Sequence, residues 1–258
     1  MNNVSSDIHN GNILLRLPSS INHLTTEQLY EKYPLYDPEP IQRIDKKPLD
    51  PGVPSVAIIP AWLGEGSDKI PLSEAHILLS DFGESFEPSV TQRYHCNAPA
   101  AVRPPEAFFT RGNTGEPISF PADIWMLACA EFSILGQRPL FEVPLSSEDW
   151  AIKEHVDALG RLPSEWWEKW EKHVEWYGED GERKDGTPRR QLEERYEYSI
   201  QEPRRRYGME ELSDEEGAAL ISLLKSMLAF NPRDRPAAKE VLESDWMIRW
   251  ALVDSRRM

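Results

Sequence analysis

Cysteine is scarce. The 258 residues contain only Cys96 and Cys129, and neither belongs to a CxxC or Cys/His pattern. A disulfide framework and a structural zinc site are thereby excluded, and a reducing, intracellular compartment, cytoplasm and/or nucleus, is expected. Long apolar runs are lacking too. None approaches the roughly 18 residues of a membrane span, and Met1 to Asn12 is polar with no apolar stretch of the signal-peptide kind. Basic charge is in deficit: 29 Lys and Arg stand against 44 Asp and Glu, a net charge of -15. That field opposes binding to nucleic-acid phosphate or an anionic membrane and suits a basic protein partner. No repeat of solenoid length is present.

What the chain does have is an apolar share of 40% with 10% aromatics, too rich for a wholly disordered polymer, together with 22 prolines that imply long polar connections. Asn12 to Leu17 and His76 to Ser80 are short apolar runs that read as strands, the second closed by Asp81-Phe-Gly83. Between them lies a Pro-rich stretch, 19–73, with Pro34, Pro38, Pro40, Pro48, Pro51, Pro54, Pro60 and Pro71. It predicts an insertion loop with a short helix over Thr25 to Lys32, capped by Thr26, and an apolar patch over Val56 to Leu63 that docks on the body. Leu63-Gly-Glu-Gly66 reads as a turn.

Beyond Pro105 the pattern is mainly helical. A buried central helix is expected over Asp123 to Leu135, closed by Gly136, and an amphipathic one over Asp149 to Leu159, closed by Gly160. Ser213-Asp-Glu-Glu216 is a capping-box start to a helix ending at Leu228, and a last helix covers Ala237 to Ser244. Gly178 to Thr187, almost without apolar residues, reads as a solvated loop. Trp166, Trp167, Trp170 and Trp176 are spaced to fasten a helix to the body, and Pro203-Arg-Arg-Arg206 reads as a solvated face paired to nearby Glu residues.

Two short segments carry chemistry. Asp7-Ile-His-Asn-Gly-Asn12 places an acid and an amide on one loop before a strand. In phosphoryl transfer a carboxylate so placed accepts the proton of an attacking hydroxyl, and the amide oxygen holds magnesium. Taken alone, the pattern also fits an Asx-rich turn. Asp81, past the end of the second strand, can hold magnesium as well, with Gly83 supplying a permissive backbone.

The order of these pieces, with Arg103-Pro-Pro-Glu106, Pro121-Ala-Asp-Ile-Trp125 and Asn231-Pro-Arg-Asp-Arg-Pro236 following, resembles the C-terminal lobe of a eukaryotic-type protein kinase. It is most similar to the SR-protein-kinase-like group in its fungal form, which Pro139-Leu-Phe141, Leu159-Gly-Arg-Leu-Pro163 and the long insertion also fit. The resemblance covers 1–258. It implies a mainly α fold, a helical bundle with a short β-hairpin at the catalytic loop and DFG, the 19–73 insertion, and a variable insert over 161–210.

By that resemblance the activity is ATP-dependent phosphoryl transfer to serine or threonine hydroxyls of a basic, Arg/Ser-rich protein. ATP and Mg2+ are the cofactors. Asp7 becomes the catalytic base, Asn12 and Asp81 the metal ligands, and Gly83 part of the nucleotide site. His9 takes the place of a lysine near the transferred phosphate, and a neutral imidazole supplies less positive charge there. Glu106 and Arg235 form a structural ion pair, while Asp123 accepts backbone N–H bonds from the catalytic loop. Ser85, Ser89 and Thr91 fall in the activation segment, where phosphorylation is a further option.

Departures are equally plain. Ser5 and Ser6 stand where the family places His and Arg, and the sequence starts at the catalytic loop, without the lobe that carries the Gly-rich strand and the ATP-pairing lysine. The fragment is therefore expected to be inactive alone. Two other readings stay open: a truncated kinase or pseudokinase serving as a binding module, and a small-molecule phosphotransferase, whose D-x-H-x-x-N loop is locally similar.

Overall fold

The computed structural model describes residues 3–33, 38–60, 63–64, 66, 69–110, 115–144 and 147–253. Pro34 and Glu65, read above as a breaker and as part of a turn, lie outside them. The chain divides into two units, a larger one of Met1–Leu14 with Leu79–Met258 and a smaller one of Leu15–Leu78.

The larger unit is helical. Its central helix α3, Phe120–Leu135, buries Trp125, Met126, Cys129 and Phe132. It begins three residues before the sequence-based start because Pro121 occupies its first turn, where a missing N–H costs nothing. Helix α4, Glu148–Leu159, is capped by the Ser147 hydroxyl. Helix α9, Asp214–Met227, packs against α3. At its start Ser213 accepts the Glu216 N–H at 3.2 Å, so the serine half of the expected capping box is present. Helix α10, Ala238–Leu242, is shorter than expected at both ends.

Around these pack α2, Glu106–Phe109, and α5, Ser164–Lys169. Then come α6, His173–Trp176, α7, Leu192–Tyr196, and α8, Glu202–Arg206, the last two joined by a π-helical turn over Glu197–Gln201. Trp167 and Trp170 are buried in a second apolar cluster with Phe108, Ile152, Val156 and Leu162, so the tryptophans do fasten α5 to the body. Two of the three arginines of α8 are neutralised locally, Arg205 by Glu197 and Glu211 and Arg206 by Glu202, while Arg204 donates to the Glu210 carbonyl at 2.9 Å.

The Gly178 to Thr187 loop needs a correction. Most of it is solvated, but Arg183 reaches back to the fully buried Asp157, donating Nε to Oδ1 at 3.0 Å, and Lys153 and Tyr177 complete the carboxylate's partners. A buried carboxylate needs such compensation, so one arginine of an otherwise polar loop is drawn inward.

The smaller unit holds α1, Thr26–Lys32, and a two-residue ladder in which β2, Glu39–Pro40, pairs antiparallel with β3, Val56–Ala57. Thr25, not Thr26, caps α1, forming a full capping box with Gln28. The apolar run does not bury itself: Val56 is exposed and Ile58 is 80% exposed. Strands β1, Ile13–Leu15, and β4, Ile77–Leu79, pair with each other. The Ser80 N–H to Asn12 carbonyl bond, 2.9 Å, belongs to the larger unit, and the Arg16 N–H to His76 carbonyl bond, 2.7 Å, to the smaller. No described helix is long and apolar enough to cross a membrane.

Candidate functional site

Two backbone anchors bring the Asp7 loop and the Asp81 turn together. At one end Ser80 bonds to Asn12, and at the other Val4 and Phe86 exchange both N–H···O bonds, at 2.9 and 3.1 Å, in an isolated antiparallel bridge. The segments 5–11 and 81–85 are clamped between these rungs. A stretch of seven residues and one of five, each pinned at both ends to the other, have little freedom to separate.

Helix α3 organises the first loop. The Asp123 carboxylate accepts the Ser5 N–H at Oδ2, 2.7 Å, and the Ser6 N–H at Oδ1, 2.8 Å. The N-cap position is Ser119, which makes no side-chain capping bond, and both Asp123 carboxylate oxygens are taken by the loop, so Asp123 serves the loop and not its own helix end. Burial pushes its carboxyl above the usual carboxylate range, and the two N–H bonds pull it back.

Within the loop the Asn12 amide donates Nδ2 to the Asp7 carbonyl at 3.0 Å and to Asp7 Oδ2 at 3.2 Å. The other carboxylate oxygen, Asp7 Oδ1, is buried with no hydrogen-bond partner among the described residues. His9 Nε2 lies 3.5 Å from it, an ion-pair distance without hydrogen-bond geometry. The ring is oriented because His9 Nδ1 accepts the Gly11 N–H at 3.0 Å, which leaves the proton of a neutral imidazole on Nε2. Gly11 is required by this fold-back: a Cβ there would stand 2.8 Å from His9 Cε1.

Asp81 is exposed and sits in the left-handed region, φ 57° and ψ 66°, without a capping bond. Gly83 is not the residue with positive φ, so the permissive-backbone argument belongs to the strained Asp81 and not to the glycine. Gly83 lies beside Asp81 all the same, its absent Cβ facing Oδ1 at 3.4 Å. Leu14, Leu79 and Phe82 of the larger unit present exposed apolar surface on the same strands and turn.

No cluster of three or more His, Cys, Asp or Glu side chains able to enclose a metal exists among the described residues. Magnesium does not need one, since it keeps several waters and binds through one or two carboxylates with substrate phosphates. The donors present fit that mode: the Asp81 carboxylate and the Asn12 side-chain oxygen left over when Nδ2 turns to Asp7, with the unpartnered Asp7 Oδ1 remaining free for a proton. A cavity of about 680 Å³ elsewhere, walled by the stacked rings of Phe109 and Trp166 with Pro163, Asn231 and Arg233, includes none of these groups.

Away from the loops, Arg235 donates to both oxygens of Glu106, at 2.8 and 2.7 Å, and to the Pro121 carbonyl at 2.9 Å. This ties α2 to the start of α3 and to the turn before α10. The sequence offers no signal for the Val4–Phe86 bridge, which is backbone alone, or for a contact between Ser6 and Cys96, described below, which joins a thiol to a backbone carbonyl 90 positions away.

No family model matches the sequence. The chain is similar to a serine/threonine-protein kinase, AFC2, from Arabidopsis thaliana, with 26% identity over 181 residues. The matched region is 70% of this chain and 40% of the plant protein, so the chain spans less than half the length of that relative. The similarity supports a relation to protein kinases, and the mainly helical fold with two small sheets among the described residues is consistent with the C-lobe of one.

Proposed function

We propose that the chain is the C-lobe part of a serine/threonine kinase of the SR-protein-kinase-like group and carries half of an ATP–Mg2+ phosphotransfer site. The supporting observation is the double clamp, Val4 to Phe86 and Asn12 to Ser80, which confines the Asp7 loop and the Asp81 turn between two rungs. Asn12 and Asp81 would hold the metal, which when bound supplies charge neutralisation on the phosphates.

Asp7 then acts as base. Its Oδ2 is fixed by Asn12, and its free Oδ1 takes the proton of the substrate hydroxyl as that oxygen attacks the γ-phosphorus and ADP leaves. His9, whose Nε2 lies 3.5 Å from Asp7 Oδ1, is placed to donate its N–H to the transferred phosphate. Leu14, Leu79 and Phe82 offer an apolar floor to the nucleotide base. The net charge of -15 favours an Arg/Ser-rich protein substrate.

The test is nucleotide binding and transfer by the 258-residue chain. It should bind Mg2+–ATP with Kd of about 1 mM or weaker, because the metal ligands work without a clamp on the adenine or the β-phosphate. Asp81→Asn should weaken that binding further. With ATP and an Arg/Ser-rich peptide, transfer should not exceed that of Asp7→Asn. Equal nucleotide binding by parent and Asp81→Asn overturns the site; robust Asp7-dependent transfer overturns the half-site reading.

A further inference from the structure

Ser6 is the residue immediately before the proposed base, and its backbone is unusual. It has φ 63°, a left-handed conformation costly for any residue with a Cβ, and is 1% exposed. Such a conformation persists only where its surroundings over-determine it. Here both polar groups of the Ser6 backbone are engaged: the N–H bonds Asp123 Oδ1, and the carbonyl accepts the Cys96 thiol at 3.3 Å. The Ser6 hydroxyl lies 4.0 Å from the same sulfur and donates to it.

Cys96 is itself held on both sides. Two residues before it, the Tyr94 carbonyl accepts the Thr110 hydroxyl at 2.8 Å; two residues after it, the Ala98 carbonyl accepts Arg103 Nε and a terminal guanidinium N–H at 3.0 and 2.9 Å. Burial pushes the thiol above its ordinary range, so the S–H is retained and can donate. The carbonyl it grips is the peptide group shared with Asp7, and rotating that peptide would swing the Asp7 side chain.

We propose that Ser6 and Cys96 form a positioning couple, in which the Cys96 S–H locks the Ser6–Asp7 peptide and so aims the Asp7 carboxylate, with neither an ion pair nor a phosphate group taking part. The proposal rests on reading Asp7 as the base. It gives residues 94–98 a hold on the loop made by neutral groups, so that assembly of the loop does not wait on a modification of Ser85, Ser89 or Thr91. Two of those hydroxyls are already engaged locally, Ser85 with the Phe82 carbonyl and Ser89 with Glu87.

Hydrogen–deuterium exchange on the full chain tests the couple, read on peptides covering 5–12. Cys96→Val keeps the bulk and loses the donor, Cys96→Ala loses both, and Cys96→Ser keeps a donor. Exchange should rise about five- to tenfold in the Val and Ala variants and stay within about twofold of the parent in the Ser variant, with α9 peptides unchanged in all three. If Cys96→Ala unfolds, the contrast between Val and Ser carries the result. A Val variant protected like the parent, or a Ser variant as loose as Val, shows packing alone and overturns the proposal. Binding of Mn2+–ATP, followed by electron paramagnetic resonance at millimolar nucleotide, separates the two readings: it should fall in Cys96→Val and hold in Cys96→Ser. A parent that binds no Mn2+–ATP removes the metal site of Asn12 and Asp81 beside which Asp7 is read as the base, and with it the purpose of the couple, whatever the exchange data show.

Discussion

Arg235 and Glu106, 129 positions apart in sequence, meet as a buried two-pronged bridge with both residues 6% exposed. The guanidinium also lies over the Trp125 ring, 5.0 Å from its centroid, and bonds the carbonyls of Ala229 and Pro121. Arg235→Ala leaves the Glu106 carboxylate buried without its cation and should cost about 3–5 kcal/mol in urea unfolding. Arg235→Lys should recover only part of this, since an ammonium cannot make the planar fork. A parent-like urea midpoint for Arg235→Ala would show the pair to be energetically idle.

Gly217, in the first turns of α9, faces the Tyr196 hydroxyl so closely that a Cβ would stand 2.5 Å from it. That hydroxyl is buried and unpartnered among the described residues. Gly217→Ala should therefore destabilise by about 1–3 kcal/mol through overpacking, despite alanine's better helix propensity. Adding Tyr196→Phe should restore most of the loss. Calorimetric melting of the two single variants and the double variant decides this, and a double variant no better than Gly217→Ala alone would contradict the clash.

A buried imidazole and a half-buried, desolvated carboxylate should give the stability curve opposing slopes. His155, fully buried among Trp125, Phe141 and Phe108 with neither ring nitrogen bonded, has its pKa pushed by burial down to about 3 from an ordinary 6.5. The unfolded chain binds the extra proton first, so stability should fall as pH drops from about 6.5 towards 3, by up to about 1.4 kcal/mol per unit. Glu131 on α3 is pushed up to about 7 from 4.5 by burial, and its contribution, full below 4.5, is lost as pH rises through 7. His155→Phe should expose the Glu131 slope between pH 4.5 and 6.5, and Glu131→Gln the His155 slope. Urea midpoints measured across pH 4 to 8 that run parallel in all three proteins would refute the assignment.

Association with an Arg/Ser-rich peptide should be electrostatic in origin. Its affinity should drop steeply as salt rises from about 0.1 to 1 M, where the Debye length shrinks from about 10 to 3 Å. Fluorescence anisotropy that changes little over that range would point to an apolar contact instead.

How far the sequence reaches varies element by element. Helix α3 is legible because a dense apolar run closed by Gly136 admits few other readings; its true start is harder, since Phe120 and Pro121 look like the end of a loop. Asp7, Asn12 and Asp81 are proposed from the order of their motifs, none of the three being distinctive alone, and the rungs from Val4 to Phe86 and from Asn12 to Ser80 are what the structure adds. The Asp157–Arg183 pairing is not, because a polar loop gives no sign of which charge turns inward, and the partner lies 26 residues away. Ser6 is visible in the sequence only as a departure from a pattern. Its left-handed backbone and its thiol partner depend on contacts across 90 residues that no local rule encodes.

The Arg16 to His76 hydrogen bond has a consequence for chain entropy. It closes the excursion of roughly 60 residues at its neck, and closing a flexible loop that long costs only about 2 kcal/mol more than closing a tight turn of about five. Segments can therefore lengthen or shorten beyond the neck at little thermodynamic cost, provided the strand residues at the neck remain. The same arithmetic makes the neck the place to splice: a short Asn-Gly turn joining Arg16 to His76 would leave the Asn12 to Ser80 rung to be formed by a hairpin of ordinary length, with Asp7 and Asp81 still tied to a shared piece of backbone.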